Sequence, residues 1–170
     1  DSTQGWLVTD SGLQSELPTP IYITAAGGTI ATCGDFKTHT FTGPGTFTVC
    51  SVGNPAGSDS VDYLVVAGGG GSSSGPSSGA RESGGGGAGG FRLSNFLSLP
   101  LCATSPLANP TGLPVSAQGY PITVGGGGSQ VAKAPTDSRG NKGSNSIFST
   151  VTSTGGGGGA VGNGSTNGTP

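Results

Sequence analysis

Few residues in this chain are of a type that does chemistry. His39 is the only histidine. It sits among threonines in Phe36-Lys-Thr-His-Thr-Phe-Thr42, a stretch of period two, and reads as a surface strand residue. One histidine and three dispersed cysteines, Cys33, Cys50 and Cys102, provide no zinc spacing. Asp59 and Asp62 lie close in sequence, but a calcium loop needs more oxygen ligands at fixed positions. No nucleophile has a base at a recognisable spacing. The expectation is therefore no catalytic residue, no metal, no cofactor and no enzyme.

Two glycine-containing stretches imitate nucleotide sites. Leu64-Val-Val-Ala-Gly-Gly-Gly-Gly71 looks like a strand entering a dinucleotide loop, a motif that needs a helix next to hold the pyrophosphate. Ser72-Ser-Ser-Gly-Pro-Ser-Ser-Gly79 follows and cannot supply one. Gly140-Asn-Lys-Gly-Ser144 has phosphate-loop residues in the wrong order and reads as a turn. Asn163-Gly-Ser165 and Asn167-Gly-Thr169 fit the glycosylation pattern, which a Gly/Ser/Asn-rich tail produces by chance. Lys133, Arg139 and Lys142 are three of the six basic residues and mark the polar loop 129–145 as a candidate surface contact.

The cysteines can also act structurally. Cys33 and Cys50 flank an expected hairpin and are expected to form a disulfide; two buried thiols is the other reading. A bridge would close a loop of about 18 residues, worth roughly 3 kcal/mol, and would imply an oxidising setting. Cys102 is then unpaired or joins another copy.

The elements that must position these residues are short strands. Ile21-Tyr-Ile-Thr24 is one. Phe36 to Thr42 and Thr46 to Val49 are expected to form a hairpin about Gly43-Pro44-Gly45, with Phe41 opposite Phe47 and His39 opposite Val49. Further strands precede three of four glycine runs. The runs are Gly68, Gly69, Gly70, Gly71; Gly84, Gly85, Gly86, Gly87; Gly125, Gly126, Gly127, Gly128; and Gly155, Gly156, Gly157, Gly158, Gly159. The second run leads into Phe91. Residues 72–83 read as an exposed loop, and 91–119 as an irregular loop that packs leucines into the core.

Oligoglycine orders either as β or as the threefold polyproline-II-type helix, which has no internal hydrogen bonds. Its amides must bond to neighbouring segments, so four runs with similar flanks are expected to pack together. The fold class is all-β: short antiparallel strands and hairpins combined with packed polyglycine-II-like segments. Residues 1–20 read as a lead-in, 21–160 as the domain and 161–170 as a mobile tail.

Composition limits the partners. Gly and Pro make up 49 of 170 residues, a disorder-like share, yet charged residues are only 8% and the apolar ones cluster. Such a chain buries little apolar surface, so oligomerisation, a disulfide or inter-strand backbone hydrogen bonds are expected to help. A net charge of −2 provides no field for nucleic acid, and no apolar run is long enough to span a membrane. The start at Asp1 rather than Met is expected of a fragment or processed chain.

Thr40-Phe-Thr-Gly-Pro-Gly-Thr-Phe-Thr-Val49, Val61 to Gly71, Gly84 to Phe91, Tyr120 to Gly125 and Phe148 to Gly155, in this order, resemble the glycine-rich domain of bacteriophage tail fibres and related viral structural proteins. The resemblance covers about residues 21–160. It implies a virion appendage, usually trimeric, partnered by itself and other fibre proteins and touching a bacterial surface glycan or protein. It transfers no binding residues. The alternative expectation is a subunit of a secreted or cell-surface filament that self-polymerises.

Overall fold

The computed structural model of the protein describes residues 19–75, 83–94, 108–131 and 138–161. The lead-in up to residue 18, Cys102, Lys133 and the tail beyond Val161 lie outside the described residues. The described part contains no helix. In chain order its strands are β1 (Thr24–Ala26), β2 (Thr29–Cys33), β3 (Phe36–Thr40), β4 (Gly45–Ser51), β5 (Ser60–Val61) and β6 (Leu64–Val66). They continue as β7 (Phe91–Leu93), β8 (Leu113–Pro114), β9 (Gly119–Thr123), β10 (Ser146–Phe148) and β11 (Val151–Ser153).

The main sheet has the order β1-β4-β9-β10-β11, and all its pairings are antiparallel. Pairs β2-β3, β5-β8 and β6-β7 form separate two-stranded ladders. Alternation in β4 turns Phe47 and Val49 inward. They join Val65, Val115, Tyr120 and Phe148 in the core. The aromatic rings meet edge to face: Phe47 and Phe148 at 5.9 Å, Tyr120 and Phe148 at 6.1 Å. The Tyr120 hydroxyl accepts the Ser116 N–H at 2.8 Å and so fixes the turn that enters β9.

Pairing near β3 differs from the sequence expectation. Phe36–Thr40 pairs with Thr29–Cys33, not with Thr46 to Val49, and β4 pairs with β1 and β9. Local backbone geometry decides this. Gly34-Asp35 closes β2 onto β3 with φ of +56° at Gly34, the conformation a two-residue hairpin asks of its first central residue. Gly27 and Gly28, at φ of +105° and +65°, swing the chain out of β1 into β2. His39 therefore faces Ile30 across the ladder, not Val49. It is not a plain surface residue: its ring lies 5.1 Å from that of Phe47. Nδ1 is 2.8 Å from the Gly27 carbonyl, which can only accept, so Nδ1 carries the proton. This histidine ties the base of the exposed hairpin to the main sheet.

The expected disulfide is corrected by the same pairing. Cys33 and Cys50 are free, exposed thiols. Cys33 pairs with Phe36 beside the hairpin turn. Cys50 falls where the β1-β4 register slips from Thr24↔Ser51 to Ala25↔Val49, so it is the bulged residue. Because β3 does not pair with β4, nothing sets the two cysteines opposite each other. The oxidising setting inferred from a bridge loses its support.

The irregular reading of 91–119 is also revised at its ends, where β7 and β8 form. Phe91 faces solvent, while Val115 is buried in the core. Val161, placed in the tail by sequence, is buried and bridged to Ser83.

Two predictions follow from these turns. Ser149 is the non-glycine residue with positive φ among those described, at 53°, in the two-residue turn between β10 and β11. Ser149→Gly relieves that strain against a smaller entropy cost, and should raise stability by about 0.5–1 kcal/mol, read as a higher urea midpoint at unchanged slope. The second concerns Tyr120. The Ser116 hydroxyl, then the Ser116 backbone and the Gln118 side chain, hold its phenol below the usual tyrosine range. A lowered folded-state pKa contributes stability in full above the unfolded value and loses it as pH falls through the folded value. The stability gap between wild type and Tyr120→Phe should thus be flat near neutral pH and widen in wild type's favour as pH rises towards about 10. A gap that narrows over that range would contradict the hydrogen-bond assignment.

Candidate functional site

Each glycine run continues a strand, and the strands bring the runs together. Strand β6 runs into segment g1 (67–74), and segment g2 (84–90) runs into β7. Strand β9 leads to g3 (125–131), g4 (138–145) leads to β10, and β11 leads to g5 (154–161). The g1 segment lies at the centre. Its amides at Ala67, Gly70 and Ser73 donate to Gly90, Gly87 and Gly84 of g2. Those at Gly68, Gly71 and Ser74 donate to Ser144, Asn141 and Ser138 of g4. Its carbonyls at Gly68 and Gly71 accept from Gly156 and Gly159 of g5, and those at Gly69 and Ser72 from Gly128 and Val131 of g3. Every set of partners steps by three residues on both chains, and at the end of g1 Ser74 also accepts from Ser138, a reciprocal β-type pair. That period is the signature of the polyproline-II-type helix, and it excludes the two-residue period of β.

The outer segments bond to each other in the same way. Gly84, Gly87 and Gly90 of g2 donate to Ala160, Gly157 and Thr154 of g5. Gly140 and Gly143 of g4 donate to Gly159 and Gly156 of g5, and Asn141 and Ser144 donate to Ser129 and Gly126 of g3. The result is an arc g2-g5-g4-g3 around g1. Partner numbers rise together for g3 and g5, so these run parallel to g1, while g2 and g4 run antiparallel.

Glycine is required where a Cβ would strike a neighbouring backbone. A methyl on Gly68 would meet the Gly126 carbonyl, one on Gly70 that of Gly157, and one on Gly71 that of Ser129. Gly84, Gly86, Gly125, Gly128, Gly155, Gly156 and Gly159 are similarly closed by backbone, and Gly87 is tight at 3.2 Å. These approaches point the Cα hydrogens at carbonyl oxygens, a weak added attraction. The other expected packing glycines differ. Gly69 and Gly127 have room for ordinary contact, and Gly85 and Gly126 face open space. Gly157 accepts the Gly87 amide, and Gly158 is buried.

Two stretches read as loops belong to this array. Ser72 to Ser74 extend g1, and the Ser73 hydroxyl is buried, donating to the Ala160 carbonyl at 2.7 Å while accepting the Gly84 amide at 2.7 Å. Residues 138–145, assigned to a polar contact loop, form g4. Gly140 and Gly143 sit three apart and face g1, where a methyl would strike the carbonyls of Gly71 and Gly68. That glycine spacing was the available signal; the polar residues between masked it. Arg139 and Lys142, also three apart, both lie exposed on the outer side of g4, roughly 9 Å apart along the helix.

Side chains complete the array where it meets the strands. The Ser153 hydroxyl, fully buried, donates to the Val65 carbonyl at 2.8 Å. The Asn145 Oδ1 accepts the Gly155 amide at 2.9 Å, and the Ser146 hydroxyl accepts that of Gly125 at 2.9 Å. Among the described residues no three His, Cys, Asp or Glu side chains cluster to hold a metal ion, and no helix is long and apolar enough to cross a membrane.

The family model of the glycine-rich domain matches residues 40–170, which spans every glycine segment. The chain belongs to the glycine-rich domain family. No curated protein and no solved structure matches it.

The array makes a sharp distinction between glycines. Gly70→Ala should destabilise this glycine-rich domain by about 3 kcal/mol, because the clash is with backbone that cannot rotate away. Gly85→Ala meets nothing and should change stability by less than about 0.5 kcal/mol. Chemical denaturation of the two variants side by side checks this; equal losses would mean the array is not packed as described.

Proposed function

We propose that this glycine-rich domain is a structural and adhesive module of a bacteriophage tail fibre, exposed on the virion and acting without chemistry of its own. The observation that supports a mechanical role is the central g1 segment, whose backbone is bonded to four other segments. Such a core resists local opening without large side chains, which suits an appendage module. At outward positions such as Gly85 and Gly126 a side chain has room. The order of strand and glycine motifs, which resembles phage fibre domains, supports the virion setting.

Within this reading the array is the scaffold and its outer side is the contact surface. Arg139 and Lys142 present two cations at fixed spacing, suited to an anionic group of a bacterial surface glycan. Lys133 is part of the same contact proposal by sequence. The partners proposed are copies of this chain, neighbouring fibre proteins and the host surface, with no nucleic acid and no membrane insertion. The filament alternative draws on the exposed edges of the two-stranded ladders, which can add strands from other copies.

Peptide mass spectrometry of purified virions made from the source genome tests the setting: the chain is expected among fibre proteins, and its recovery only from cell-surface filaments would favour the alternative. Adhesion is tested separately. Deleting 129–145 would remove part of g3 and all of g4, so charge reversal is the cleaner probe. Virions carrying Arg139→Glu with Lys142→Glu should assemble normally and adsorb about tenfold or more slowly at low ionic strength, with the difference shrinking in salt. Unchanged adsorption would remove this stripe as a contact.

A further inference from the structure

The array is open on one side. In a threefold helix the amides point in three directions. In g1 one set reaches g2 and a second reaches g4, but the third set, Gly69 and Ser72, has no partner among the described residues. The arc g2-g5-g4-g3 leaves one side of g1 uncovered among the described residues, and these two amides face that side. Gly69, Gly70 and Ser72 are correspondingly less buried than Gly68, Gly71, Ser73 and Ser74.

The strands that adjoin this side carry a second, independent mark. Val65 points from β6 into the core, towards β10 and β11. Its neighbours Leu64 and Val66 point the other way, as do Phe91 and Leu93, their cross-strand partners in β7. Leu64 is 58% exposed, Val66 51% and Phe91 54%. Since β6 continues into g1 and g2 into β7, the apolar ladder and the open side of g1 form one continuous face. Half of it is apolar, half is uncharged backbone with unmet amides.

We propose that this face is covered by the same face of a second copy of the chain, in a small closed oligomer whose rotation axis runs along β6 and g1. An axis in that direction sets apolar ladder on apolar ladder and glycine segment on glycine segment. Any occupant of the glycine half must approach without Cβ atoms and carry carbonyls at a three-residue period. It must also present an apolar ladder at the same offset. The chain's own face has the apolar ladder and the three-residue period, with glycine at 69 and 70 and one small side chain, Ser72, on the glycine half, and the array accepts neighbours in either direction, as g3 and g2 show. A charged partner surface offers neither. This proposal deepens the assembly part of the fibre reading and does not depend on the virion setting, because it is tested on the isolated chain.

Sedimentation equilibrium of the wild-type chain should give a single mass of two or three copies; a monomer at all concentrations, or an open series of sizes, overturns the proposal. Val66→Lys with Phe91→Lys should weaken association at least about tenfold and leave the circular dichroism spectrum of the folded chain intact. Ile30→Lys, equally exposed at 49% but on the β2-β3 hairpin, should leave the mass unchanged. Amide exchange then reads the glycine half: Gly69 and Ser72 should exchange about tenfold or more slowly in the oligomer than in the double-lysine monomer. Equal exchange in the two states, or dissociation by Ile30→Lys alone, would overturn the proposed face.

Discussion

Backbone hydrogen-bond valence is the constraint on which this structure depends. A threefold glycine helix satisfies none of its own amides, so each segment exists only by virtue of its neighbours. The central segment g1 is the extreme case, with eleven backbone hydrogen bonds to eight residues, 67–74, drawn from four different segments. At about 1 kcal/mol net for each such bond, the set rivals what a small apolar core contributes. The price is connectivity, because loss of any one outer segment orphans amides on the others.

This explains how a chain so poor in large side chains orders at all. The aromatic cluster of Phe47, Tyr120 and Phe148 organises the main sheet and sets the directions of β9, β10 and β11. Those strands aim g3, g4 and g5 at the position where β6 delivers g1. The apolar core thus works as an aligning device and the glycine array as the second core. Ser153, Ser146 and Asn145 mark the junction, where side-chain groups substitute for backbone partners while the period changes from two to three.

The same geometry separates what function can vary from what it cannot. Positions whose Cα hydrogens face a carbonyl are closed to any side chain, and those facing out are free. In g4 this puts Gly140 and Gly143 inside and Arg139 and Lys142 outside within a single stretch of five residues. Side chains on the outward positions leave the buried glycine contacts untouched.

The sequence by itself determined the class of structure. Alternating strands, glycine runs without a following helix, and sparse charge argue against α-helices and nucleotide loops and favour packed glycine over independent linkers, because those are local properties of backbone and side-chain type. Tertiary structure alone decided the partners. Whether Phe36–Thr40 pairs backward or forward, whether Cys33 meets Cys50, and whether 138–145 is a loop or a segment of the glycine array depend on distant carbonyls. Gly34, Gly140 and Gly143 carried part of that information in single residues. Its meaning emerged only when the strands had fixed which segments lie side by side.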